Sequence, residues 1–175
     1  MVVQVTVGGS HFFSRKNGLK FIKPKHVFPS IATNYGAGQW DRIKGIRRMS
    51  YLTIAIMGTV FSLSGILFPL GICGAFVEVS SEIESLAQTA IRTYFIAFLP
   101  MGINLLSSYY LQSVLSVKRS LCISLLRNII LSSVAILTFP LMFDGNSLWF
   151  VMPVVEVVVL FVSILFVRTA KSVKD

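Results

Sequence analysis

Long apolar runs separated by brief basic or acidic stretches set the pattern of this chain. Ile91–Val117 is apolar with Arg92 alone at its edge, Lys118-Arg119 interrupts, and Ser120–Leu141 resumes with Arg127 as its one charge. About twenty apolar residues at roughly 1.5 Å each cross the hydrocarbon core of a bilayer. The pattern therefore predicts a hairpin of membrane-spanning helices with its turn at Lys118-Arg119. Upstream, Tyr51–Val77 carries no charge and is divided by Pro69. It reads as a helix to about Phe68 with a bent continuation to Phe76. Downstream, the turn Phe143-Asp144-Gly145-Asn146 leads into a last run, Ser147–Val167. The expected architecture is an all-α integral membrane bundle. Its four transmembrane helices span about 50–68 with a continuation to 76, 90–117, 120–141 and 147–167.

The segment before the first span divides the chain into two expected parts. Residues 1–33 read as a basic cytoplasmic linker that begins with the tail of a preceding helix, and residues 34–175 as the four-helix part. Met1–Phe13 is apolar but too short to span a membrane alone. It lacks the basic start of a secretory signal. In Arg15–His26, five cations interleave with Phe21, Ile22 and Leu19. Two readings stay open, an interfacial lie on anionic lipid and a solvated linker. Pro24 and Pro29 are expected to break any helix there. Asn34-Tyr35-Gly36-Ala37-Gly38 reads as a loop, with a helix starting near Gln39.

Charge then orients the bundle. The chain is 54% hydrophobic, 13% charged and carries a net +9, with a mean hydropathy of +0.77. Such a balance excludes disorder and argues against an ordinary soluble globule. Nine of its sixteen Lys and Arg precede Ser50 and most others flank apolar runs. That placement argues against nucleic acid and for the positive-inside rule. The Arg42–Arg48 collar is basic, Glu78–Glu84 acidic, Lys118-Arg119 basic, Phe143–Asn146 acidic and the tail basic. Four spans with both termini cytoplasmic, in a plasma or inner membrane, satisfy all five. Arg92 is the exception and is expected to be structural. Cys73 and Cys122 fall at opposite faces in this topology, so a disulfide is not expected, nor is a metal site.

A charge inside a membrane costs several kcal/mol on insertion scales. Arg127 lies about 10 Å past the basic turn. It either snorkels to the headgroups or faces the bundle and holds a polar partner. Glu156 sits near the middle of the last span, where snorkelling is harder. Its two readings are a carboxyl that takes up a proton or cation and a protonated structural residue. Pro153, three residues earlier, is placed to loosen the backbone there. Asn104, Ser108 and Gln112, four apart, share one helix face, suited to interhelical hydrogen bonds or to the wall of a substrate cavity. Tyr109, Tyr110 and Phe95 are candidates to stack on an aromatic cation or to pack. Gly58, Ser62 and Gly65 suit helix packing. No catalytic set and no phosphate loop is visible, so neither an enzyme nor ATP-driven transport is expected, and no cofactor.

At Asn34-Tyr35-Gly36-Ala37-Gly38-Gln39 with Arg42 the chain resembles the multidrug and toxic compound extrusion (MATE) family. The likeness continues through Ala90-Ile91-Arg92, Ala97-Phe98, Tyr110-Leu111-Gln112, Ser124-Leu125-Leu126-Arg127 and Trp149 with Pro153 and Glu156. Phe12–His26 is similar to the linker between that family's two six-helix lobes. The resemblance implies a partial C-terminal lobe and secondary efflux of small organic cations or drugs against Na⁺ or H⁺. The candidate substrate- and ion-binding residues are Asn104, Gln112, Arg127, Glu156 and Tyr109. Family members have twelve membrane helices and this chain four, with two of the second half expected to be missing between about Lys25 and Ala32. A shortened or internally deleted transporter, partnered by a complementing membrane chain or by copies of itself, is the first reading. A membrane subunit or remnant that inserts and associates without transporting is the second, and an independent four-helix exporter working as a dimer the third.

Overall fold

The computed structural model describes residues 24–76, 81–143 and 145–171. The expectations for Met1–Phe13, the cations up to and including Lys23, Glu78, Asp144 and Lys174 lie outside them. The order of elements is α1 (Pro24–Gly36), α2 (Trp40–Leu67), α3 (Pro69–Gly74), α4 (Ser81–Ile96), α5 (Phe98–Ser113) and α6 (Val117–Leu125). A π-helical turn (Leu126–Leu131), α7 (Ser132–Met142), a 3₁₀ turn (Gly145–Phe150) and α8 (Val151–Lys171) complete it. Among the described residues, four stretches are long and apolar enough to cross a membrane: Trp40–Leu67, Glu84–Ser113, Val117–Met142 and Ser147–Ala170. The chain is an all-helical, multi-pass membrane protein with the four spans expected.

Prolines set the breaks. Phe68 precedes Pro69, and the steric demand of the proline ring drives it off the helical region (φ −127°, ψ 47°). So α2 ends at Leu67 and Pro69 opens α3, where no donor is required. Within the second span, Pro100 cannot donate to the Ile96 carbonyl, and the helix divides at Ala97, which bonds instead to Tyr94 O at 3.1 Å. Ala97 stays in the right-handed helical region, so the rod bends there without parting.

Two local expectations are corrected. Pro24 and Pro29 do not prevent a helix, since α1 runs through both. Pro24 stands first, where helix N–H groups have no partner, and Pro29 forfeits one bond close to the start. The apolar face of α1, Val27 and Ile31, is buried, which offsets that loss. Only Ala37–Gln39 remains as a connection, and Gly38 supplies the positive φ (67°) it needs. The basic dipeptide is likewise not the hairpin turn. Val114–Ser116 makes the turn, closed by Ser116 N–H to Leu111 O at 2.8 Å, and Lys118 and Arg119 belong to the first turn of α6.

Helix α5 is the axis of the bundle, packing against α1, α2, α6 and α8. Its buried Leu106, Tyr110 and Leu111 meet Ile43 and Ile46 of α2, Ile123 of α6 and Val155 and Val159 of α8 in one core. Small residues bring α2 close to the second span. Gly58 faces Leu99, Gly65 lies against the Phe95 ring, and Gly102 of α5 faces Ile54. Ser62 donates to the Phe95 carbonyl at 2.8 Å. The outer faces carry exposed Leu, Ile, Val and Phe on every span, as contact with lipid requires.

Candidate functional site

The polar side of α5 reaches each neighbour by a separate hydrogen bond. Ser107 Oγ and Tyr51 OH of α2 lie 3.0 Å apart. Gln112 Nε2 donates to Ser120 Oγ of α6 at 2.9 Å, across the hairpin turn. Asn104 Nδ2 donates to α8 twice, to the Glu156 carbonyl at 2.9 Å and to its carboxylate Oε2 at 2.8 Å. The periodicity of Asn104, Ser108 and Gln112 identifies a shared buried side, and all three are at least partly buried. It does not reveal that Asn104 and Gln112 serve different helices.

Glu156 is the hub of this centre, and its side chain is fully buried (0% exposed). Arg127 Nε stands 2.7 Å from Oε1, opposite the side taken by Asn104. Arg127 therefore faces the bundle, with 21% of its side chain exposed. The Nε–H is not aligned on Oε1, so the pair is held by charge proximity, and neither Oε1 nor Asn104 Oδ1 accepts a hydrogen bond among the described residues. The other described carboxylates with placed side chains, Asp41 and Glu84, are exposed at the two ends of the bundle. Oε1 is thus engaged by the Arg127 charge alone, and Asn104 Oδ1 keeps its lone pairs unused among the described residues.

Local backbone explains the meeting. Arg127 is the second residue of the π-helical turn Leu126–Leu131. The Ser132 hydroxyl donates to the Arg127 carbonyl five residues earlier, the spacing a π turn creates. Single π turns inside α-helices are frequent at functional sites. Leu126-Arg127-Asn128-Ile129-Ile130-Leu131 has no composition that marks such a turn, so it is not legible in the sequence. Pro153 is the third residue of α8. That helix follows directly on the 3₁₀ turn Gly145–Phe150, so the change of helix type falls just before Pro153.

The aromatic candidates separate. Tyr109 is 42% exposed on the outer face of α5, away from the Glu156 centre. Tyr110 is buried, and its ring face is covered by the Arg47 guanidinium at 5.2 Å. Phe95 packs edge-on against Phe98, with centroids 4.8 Å apart. Two clefts open at the ends of the bundle. One lies beside the α5–α6 turn, the other is lined by Glu84, Ser85, Gln88, Thr89 and Arg92, and neither is lined by Glu156.

A family model described as MatE matches residues 27–137, from within α1 to within α7. Asn104, Gln112 and Arg127 fall inside the match and Glu156 beyond it. A search of curated proteins and one of solved structures found no match.

Proposed function

The chain belongs to the MatE family, and on that premise we propose that it is part of a secondary exporter of small organic cations in which Glu156 takes up the coupling ion. The observation that carries this reading is the buried Arg127–Glu156–Asn104 centre. A carboxylate at that depth needs compensation. Arg127 supplies it in the observed state. Binding of a cation at Oε1 satisfies Glu156 by other means and frees Arg127, leaving two packings of nearly equal cost. Such bistability is what alternating access needs.

The coupling ion we propose is H⁺. A metal cation of the Na⁺ kind needs several oxygen ligands, whereas a proton needs one. At this centre Glu156 Oε1 faces the Arg127 guanidinium and Asn104 Oδ1 alone is without a partner among the described residues, fewer oxygens than such a site needs. In the orientation we propose, the end bearing Arg42, Lys44, Arg47, Arg48, Lys118 and Arg119 faces the cytoplasm of a plasma or inner membrane.

Inverted membrane vesicles from cells producing the chain test the reading. With an imposed pH gradient, uptake of a fluorescent organic cation should exceed that of vesicles without the chain, and Glu156→Gln should abolish the excess. A Na⁺ gradient should not replace the pH gradient. Undiminished flux in Glu156→Gln would overturn the assignment.

The position of the clefts favours a second component. Neither is lined by Glu156, and in the reading we propose a complementing membrane chain or another copy completes the substrate path. The alternative is a subunit that inserts and associates without transporting. Crosslinking in membranes to a specific partner, with no gradient-driven flux from the resulting assembly, would favour that alternative.

A further inference from the structure

The cleft beside the α5–α6 turn is electrostatically incomplete. It has a volume of about 570 Å³ and is lined by Trp40, Tyr110, Leu115, Val117, Lys118 and Arg119 among others. Three features at its floor are individually unfavourable. Lys118 and Arg119 occupy the first turn of α6, where the helix dipole is positive and repels cations. Ser116 stands at the N-cap but makes no side-chain capping bond; its carbonyl takes the Arg119 and Ser120 N–H groups, which leaves the first two N–H groups of the helix to be met from outside. Arg119 Nη1 is buried with no hydrogen-bond partner among the described residues. A single anion seated there relieves all three.

The wall narrows the choice of anion. Leu115, 76% exposed, and Val117, 57% exposed, flank the two cations. Leu115 is held at a positive φ of 59°, a conformation costly for any residue with a Cβ. A small soluble anion engages the two cations and leaves this apolar rim unused. An amphiphile fills both halves of the cleft. The depth also fits, since Arg42, Lys44, Arg47 and Arg48 form the collar at the same end, the level of the lipid headgroups.

We infer that this cleft binds an anionic phospholipid, its phosphodiester seated on Arg119, Lys118 and the start of α6 and its acyl chain lying along Leu115 and Val117. The site is independent of the Glu156 centre and does not rest on transport.

Trp40 lines the cleft, and the only other tryptophan, Trp149, lies in the 3₁₀ turn that opens the last span. A Trp149→Phe chain therefore reports on the cleft alone. It would be reconstituted into phosphatidylcholine vesicles containing brominated phosphatidylglycerol or, in parallel, phosphatidylcholine with the same brominated chains. The brominated anionic lipid should quench Trp40 at much lower mole fraction. Arg119→Ala and Lys118→Ala should each reduce that preference about fivefold, as expected for one cation near a charged surface, while Arg119→Lys retains it. Arg48→Ala, at the same end but outside the cleft lining, should change it less than twofold. Equal quenching by both lipids would overturn the site. So would an Arg48→Ala effect matching that of Arg119→Ala, which would mean a diffuse field. Loss of the quenching on adding millimolar inorganic phosphate, at an ionic strength matched with chloride, would overturn the lipid assignment in favour of a soluble anion.

Discussion

Arg127 and Glu156 stabilise the bundle as a pair and endanger it singly. Removing one partner of a buried ion pair leaves the other uncompensated, at a cost of about 3 kcal/mol. Arg127→Leu alone should therefore lower the thermal midpoint in detergent substantially, and Arg127→Leu with Glu156→Leu should recover most of the loss. Midpoints from size-exclusion after heating would decide it. A double variant no more stable than the single one would show that the pair is not coupled. At this scale the sequence is informative wherever a residue type is expensive in its setting. A cation and a carboxylate inside apolar runs demand partners, so Arg127 and Glu156 stand out from the amino-acid pattern alone. Asn104 is visible as one of a stripe. Its double hold on Glu156 is not, because periodicity gives a face and not the helix opposite. Tyr109 falls away from the centre for the same reason: neighbouring Tyr109 and Tyr110 look alike in sequence, and only packing sends one outward and the other under Arg47.

Among the elements, the approach of α2 to the second span depends on two glycines one heptad apart. A methyl group at Gly65 would overlap the Phe95 ring, whereas at Gly71 it would meet open space. Packing of small residues is a main source of association between membrane helices. Gly65→Val should therefore reduce the yield of monodisperse protein in detergent and lower its thermal midpoint, with Gly71→Val close to the parent. If the two variants behave alike, the close approach does not hold the helices together. Element boundaries are legible where a proline dictates them, as at Phe68-Pro69. They are missed where the rule against proline is applied without regard to position, as in α1, whose Pro24 opens the helix and costs nothing. The π turn has no antecedent in composition. It coincides with Arg127 facing α8 while Ile129 and Ile130 stay on the outer face.

For the molecule as a whole, the alternation of basic and acidic boundaries predicts four spans, and the described residues hold four helices long and apolar enough to make them. The Arg47–Tyr110 contact and the cleft at Lys118-Arg119 lie at one end, and Glu84 and Arg92 line the cleft at the other. With Cys73 and Cys122 replaced by serine, single cysteines at Lys118 and Phe143 should react with an impermeant maleimide from opposite sides of sealed vesicles. Labelling of both from one side would refute the topology. The number of helices is readable because hydrocarbon imposes a minimum length. The way they come together is not, since lipid-facing and bundle-facing leucines are spelled alike. The three-residue link Val114–Ser116 has a further consequence for biogenesis. Binding α5 and α6 so tightly means that the nascent chain delivers them to the translocon as one unit, and Arg127 reaches the translocon while Glu156 is still held inside the ribosome. Until then the guanidinium has only the departing insertion machinery to shield it. Chains truncated after Phe143 should accordingly integrate less completely than full-length ones in a glycosylation-mapping assay, and Arg127→Leu should remove the difference.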